Sequence, residues 1–96
     1  MGVRAAHAAD AEATLTLKDH KFEPEQLKVP AGQRLRLTVI NNDKTPEEFE
    51  SKPLKIEKVV PGNGRITLFI GPLKPGSYKF VGEYHEDSTK GVLIAE

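Results

Sequence analysis

Three carboxylates and one imidazole, Glu83, His85, Glu86 and Asp87, crowd into a short charged stretch near the end of the chain, the densest group of ligand atoms in it. Imidazole nitrogen with carboxylate oxygen is a hard donor set. It suits Cu(II), zinc, iron or manganese better than Cu(I), and histidine is the commonest metal ligand. A second acidic pair, Glu47-Glu48, directly follows a loop and is not interleaved with lysine. That pair could coordinate a cation at the end of a sheet, whereas the mixed-sign run around it, from Lys44 to Lys58, reads as solvated surface. His85 also has a plainer reading, as a loop histidine hydrogen-bonded to Glu83 or Asp87. His20, in Asp19-His20-Lys21, reads as an exposed loop residue, with a small second metal site built with Asp19 as the alternative.

Short strands must position these groups. From Thr14 onward the chain alternates apolar and polar residues in short runs divided by turn residues, with no helical period of useful length. Thr14 to Lys18 is one such run, Asp19 to Glu25 a polar connection, and Gln26 to Val29 a second run ending at Pro30-Ala31-Gly32. The clearest strand is Arg34 to Asn41, with Leu35, Leu37 and Val39 on the buried side and Arg34, Arg36 and Thr38 on the other. Glu48 to Glu50, Ile56 to Val60 and Arg65 to Ile70 follow. Tyr78 and Phe80 then lead into the charged loop, and Val92 to Ala95 closes the domain. The expectation is an all-β sandwich or barrel of about eight strands over residues 14–96. Phe22, Phe69, Tyr78 and Phe80 are expected in its core. Tyr84 is a candidate hydrogen-bond donor orienting a ligand.

Composition narrows the function. The 96 residues suffice for one domain, and 14 basic against 14 acidic side chains leave no excess to drive nucleic-acid binding. No apolar run approaches the roughly 20 residues that cross a bilayer, so direct membrane insertion is not expected. The absence of cysteine excludes disulfides and thiolate chemistry. No serine elbow or glycine-rich phosphate loop is present, so hydrolases and kinases fall away; a non-enzyme is expected, with a ferroxidase still conceivable. Residues 1–13 read as a flexible start. Within them Ala6-His7-Ala8 has the small-x-small form that ends a secretory signal peptide, so an exported, periplasmic protein is expected.

Several motifs in this order and spacing resemble those of the cupredoxins. They are Phe22-x-Pro24, Val29-Pro30-Ala31-Gly32, a strand ending in Asn41-Asn42 with Pro46 beyond it, and Gly76-x-Tyr78-x-Phe80 leading to a histidine and Gly91. The resemblance implies a Greek-key β-sandwich. It also implies where copper ligands would fall: the first histidine on Glu47, the cysteine on Gly82, the second histidine on His85 and the methionine near Ser88. One of the four survives, so a blue-copper centre, which needs the thiolate, is not expected. The resemblance also implies that the loops carrying Glu47 and His85 lie at one end of the sandwich. Glu48, Glu83 and Glu86 are further candidate ligands, and the choice among the carboxylates stays open. The wording Pro46-Glu47-Glu48-Phe49-Glu50-Ser51 and Gly82-Glu83-Tyr84-His85-Glu86-Asp87 is similar to cupredoxin-like domains associated with bacterial high-affinity iron permeases, the EfeO type among them. That similarity implies a periplasmic accessory of ferrous iron uptake that binds copper(II) or iron, with zinc or manganese as alternatives. A metal-free module docking on an iron permease or another partner is the competing reading.

Overall fold

A computed structural model describes residues 10–96. The Ala6-His7-Ala8 motif lies outside the described residues. Among the described residues there are nine strands and one short 3-10 turn, in the order β1 (Ala11–Lys18), β2 (Lys21–Glu23), β3 (Gln26–Val29), β4 (Leu35–Asn41), β5 (Glu47–Ser51), β6 (Ile56–Val60), β7 (Arg65–Ile70), β8 (Gly76–Gly82), the 3-10 turn Glu83–His85, and β9 (Lys90–Ala95). They form a four-stranded sheet ordered β2-β1-β4-β7 and a five-stranded sheet ordered β3-β9-β8-β5-β6. Two of the pairings, β1 with β4 and β3 with β9, are parallel, as crossovers between the layers of a sandwich require.

Alternation fixes which side chains meet between the sheets. Leu15 and Leu17 on β1, Leu35, Leu37 and Val39 on β4, Phe49 on β5, Phe80 on β8 and Leu93 on β9 are all buried. Phe22, Phe49 and Phe80 form an aromatic triangle with centroids 5.1–6.0 Å apart, within the range of favourable edge and offset contacts. Phe22 reaches it because Lys21–Glu23 pairs with β1 through a two-residue turn at Asp19-His20. The segment expected to be a plain connection therefore contains a strand, too short for its alternation to show in sequence. β1 likewise begins at Ala11, where its pairing with Leu35 starts.

Phe69 departs from the expected core. It is 56% exposed, because Ile66, Leu68 and Ile70 are the inward positions of β7. Its ring lies under the Arg34 guanidinium, 4.9 Å from the centroid. Phe49 takes the interior aromatic place instead. Among the described residues no helix is long and apolar enough to cross a membrane.

Candidate metal centre

Glu47 opens β5 with its side chain pointing inward, and it is 2% exposed. A buried carboxylate needs its oxygens satisfied, and here both are. Oε2 accepts the backbone N–H groups of Tyr84 (2.8 Å) and Glu48 (3.1 Å), and Oε1 lies 2.7 Å from His85 Nδ1. His85 closes the 3-10 turn that follows β8, and its side chain is partly open to solvent. With Nδ1 and Oε1 sharing one proton, Nε2 is the ring nitrogen not tied to Glu47. The two residues expected to meet from separate loops are thus in direct contact.

The third member of the group was read from sequence as an exposed loop residue. His20 stacks on His85 with centroids 3.8 Å apart and an interplanar angle of 26°. One ligand atom from each of His20, Glu47 and His85 lies within 4.8 Å of the others. The turn that delivers His20 has φ of +52° at Asp19 and +58° at His20. Asp-His is an unusual dipeptide for a hairpin turn of this kind, which ordinarily takes Asn-Gly or Asp-Gly. The hint available in sequence was the four-residue polar break Lys18-Asp19-His20-Lys21 between Leu17 and Phe22, with a histidine where the turn usually takes glycine.

Asp43 holds this turn from the neighbouring loop. Its carboxylate accepts the N–H of Asp19 at 2.7 Å and that of His20 at 3.0 Å. Burial alone would raise its pKa. The His20 and Asp19 amides, helped by the His20 and Lys18 charges, outweigh that effect and hold the Asp43 carboxyl below its ordinary value.

Glu48, Glu83 and Glu86 lie apart from this centre. Glu48 and Glu50 are the outward positions of β5, and with Glu57, Glu83 and Glu86 they form two overlapping acidic groups, Glu48-Glu57-Glu83 and Glu50-Glu83-Glu86. A hydrogen bond to Glu48, then partial burial and the charges of Glu48 and Glu86, raise Glu83 above the usual carboxylate value. Burial and the charges of Glu83 and Glu57 raise Glu50. Among the described residues none of these carboxylates forms an ion pair with Lys44, Lys52 or Lys90. Tyr84 takes part through its backbone N–H, while its side chain is 52% exposed.

Gly82 lies beside Glu47. A Cβ built there would sit 2.7 Å from Glu47 Cδ and 2.5 Å from Thr89 Cγ2, so those two side chains fill the space a residue at this position would need. Thr89 is fully buried.

Comparison with known proteins agrees with this architecture. A protein of Rickettsia prowazekii (strain Madrid E) is 43% identical over 83 residues, which make up 86% of this chain and 66% of that protein. The chain therefore spans just under two-thirds of that relative's length. A copper-binding protein solved by NMR in its apo form superposes with a TM-score of 0.78 at 17% identity, over 100% of this chain and 98% of the other. A purple cupredoxin from Nitrosopumilus maritimus gives a TM-score of 0.66 at 18% identity, over 91% of this chain and 100% of the other. At such identities the likeness is one of fold. The family model for the cupredoxin-like domain matches residues 1–95, and with the two-sheet sandwich it establishes that the chain belongs to the cupredoxin-like domain family.

Proposed function

We propose that the domain is a periplasmic transition-metal-binding accessory of bacterial ferrous iron uptake. It holds copper(II) or iron at a non-blue centre made by His85 and Glu47, with His20 as third donor. The observation that carries this reading is the buried Glu47 carboxylate, 2.7 Å from His85 Nδ1 and beside a second, stacked imidazole.

The donor chemistry decides which centre fits. A blue-copper centre does not, because the chain has no cysteine, its single methionine is Met1, and the space at Gly82 is filled by Glu47 and Thr89. Two imidazoles and a carboxylate fit Cu(II), zinc or iron, with manganese less favoured. A bound ion would supply Lewis acidity and, for copper or iron, one-electron chemistry. The protein's own part is to hold the donors at fixed spacing with the Glu48 and Tyr84 amides and to bury the carboxylate away from water. A ferroxidase activity would need a redox ion with an open position. Support for the iron-uptake role and the periplasm comes from the similarity to iron-permease-associated domains and from the Ala6-His7-Ala8 motif.

A second reading draws on the outer carboxylates Glu48, Glu50, Glu57, Glu83 and Glu86, none of which forms an ion pair with a lysine among the described residues. They would suit docking on a basic surface of a permease or other partner, with no metal role for the domain.

Calorimetric titration with Cu(II), Zn(II), Mn(II) and anaerobic Fe(II), repeated on Glu47→Ala and His85→Ala, separates the two. One-to-one binding weakened or lost in both variants is the expected result. Absence of saturable binding of every ion would overturn the metal reading and leave the docking one.

A further inference from the structure

His20 is held in place by more than its ring. Its N–H donates to Asp43 Oδ2 at 3.0 Å, its carbonyl accepts from the buried Thr89 hydroxyl, and its imidazole lies on that of His85. The Thr89 amide in turn donates to the His85 carbonyl at 2.9 Å, so the loops bearing the two histidines are tied together directly. Asp43 is fixed from beneath. Its amide donates to Asn41 Oδ1 at 2.9 Å, and fully buried Asn41 anchors itself through Nδ2 to the carbonyls of Thr45 and Val60.

Two consecutive non-glycine residues at positive φ are disfavoured by Cβ sterics and persist only where neighbours over-determine them. Asp43 supplies that constraint, because one carboxylate receives both turn amides. Oδ2 also lies 3.7 Å from His20 Nδ1, so the same carboxylate flanks the ring as well as the backbone of the turn.

On the reading that His85 and Glu47 bind a transition metal, we propose that Asp43 is the positioning residue that presents His20 as the second imidazole of the centre. By this means it sets the ion class. One imidazole and one carboxylate discriminate weakly among divalent ions, whereas a second nitrogen shifts preference toward Cu(II) and away from oxygen-preferring Mn(II). Asp43 itself need not touch the ion.

The test uses the full chain in a His7→Ala background, so that of the three histidines only His20 and His85 remain. Cu(II) electron paramagnetic resonance counts coupled nitrogens, and calorimetry gives the affinities. The parent is expected to show two imidazole nitrogens, and His20→Ala and Asp43→Ala one. Cu(II) affinity should fall about 10–100-fold in Asp43→Ala, the usual range for loss of a group that orients a ligand, and Mn(II) affinity by less. Asp43→Asn, which keeps one acceptor, should fall between. Asp19→Gly added to Asp43→Ala relieves the turn at one of its two positions and should restore much of the second nitrogen signal. Without metal, the His20 ring protons should lose their upfield ring-current shift in Asp43→Ala, a readout independent of binding.

Two nitrogens and parental affinity in Asp43→Ala would overturn the proposal, as would unchanged His20 shifts. A single nitrogen in the parent, abolished by His85→Ala, would overturn it while leaving the Glu47–His85 centre standing. No saturable binding in the parent would remove both.

Discussion

The Glu47 carboxylate and the His85 imidazole meet at 2.7 Å, and the oxygen that does not face His85 accepts two backbone amides. Truncation of Glu47 therefore unpairs three groups at once. Glu47→Ala should destabilise the metal-free protein by about 2–4 kcal/mol, and Glu47→Gln, which keeps one acceptor and the volume, by about half that. Urea denaturation measures both. An unchanged midpoint for Glu47→Ala would mean that the carboxylate does not organise the loop.

Burial separates Phe49 from Phe69 more sharply than sequence does. Phe49 is 1% exposed and contacts two other rings, so Phe49→Ala should cost about 3–5 kcal/mol. Phe69→Ala removes an exposed ring under Arg34 and should cost about 1 kcal/mol or less. Equal losses on thermal unfolding would contradict this assignment of faces.

The outer acidic face should lose stability as pH rises. Glu83 has a pKa raised in the folded protein, so the fold binds that proton more tightly than the unfolded chain does. The stabilisation it brings is complete below the ordinary carboxylate pKa and is lost as pH climbs through the raised value, leaving repulsion among Glu48, Glu83 and Glu86 at neutrality. Glu83→Gln should therefore raise the melting temperature at neutral pH, with the gain vanishing in acid. A gain that persisted at low pH would point to a cause other than charge.

Gly82 is required by close approach. Gly82→Ala should cost about 1–3 kcal/mol through overpacking against Glu47 and Thr89. Gly82→Cys should not form a blue centre with Cu(II) on its own. An absorption spectrum with an intense thiolate band in the single variant would show that Glu47 moves aside freely.

The alternating strands were legible where apolar positions ran for three or more repeats, as at Leu35, Leu37 and Val39 on β4. β2 was not, because Phe22 is the single inward residue in a three-residue strand and looks the same as a loop aromatic. Phe69 was misassigned because it and Ile70 are adjacent, and apolarity alone cannot say which of two neighbours faces in. The contact between Glu47 and His85 followed from the order of the loops in the family. His20 did not, since its place depends on a turn with two positive φ values and on a carboxylate from another loop. Glu48 is next in sequence to Glu47, yet it lies on the outer face, because neighbouring strand residues point to opposite sides; Glu83, two residues before His85, opens the 3-10 turn and joins the same acidic face.

Glu47 and Gly82 also constrain what either position can become. A chain with cysteine at 82 and glutamate at 47 overfills the space. One that first shortens 47 leaves His85 and two amides without their acceptor. Either single step is expected to lower stability, so exchanging glutamate at 47 and glycine at 82 for a cysteine-bearing arrangement calls for a paired change. Relatives with glycine at the position of Gly82 should accordingly retain a long acid opposite it, and those with cysteine there should not.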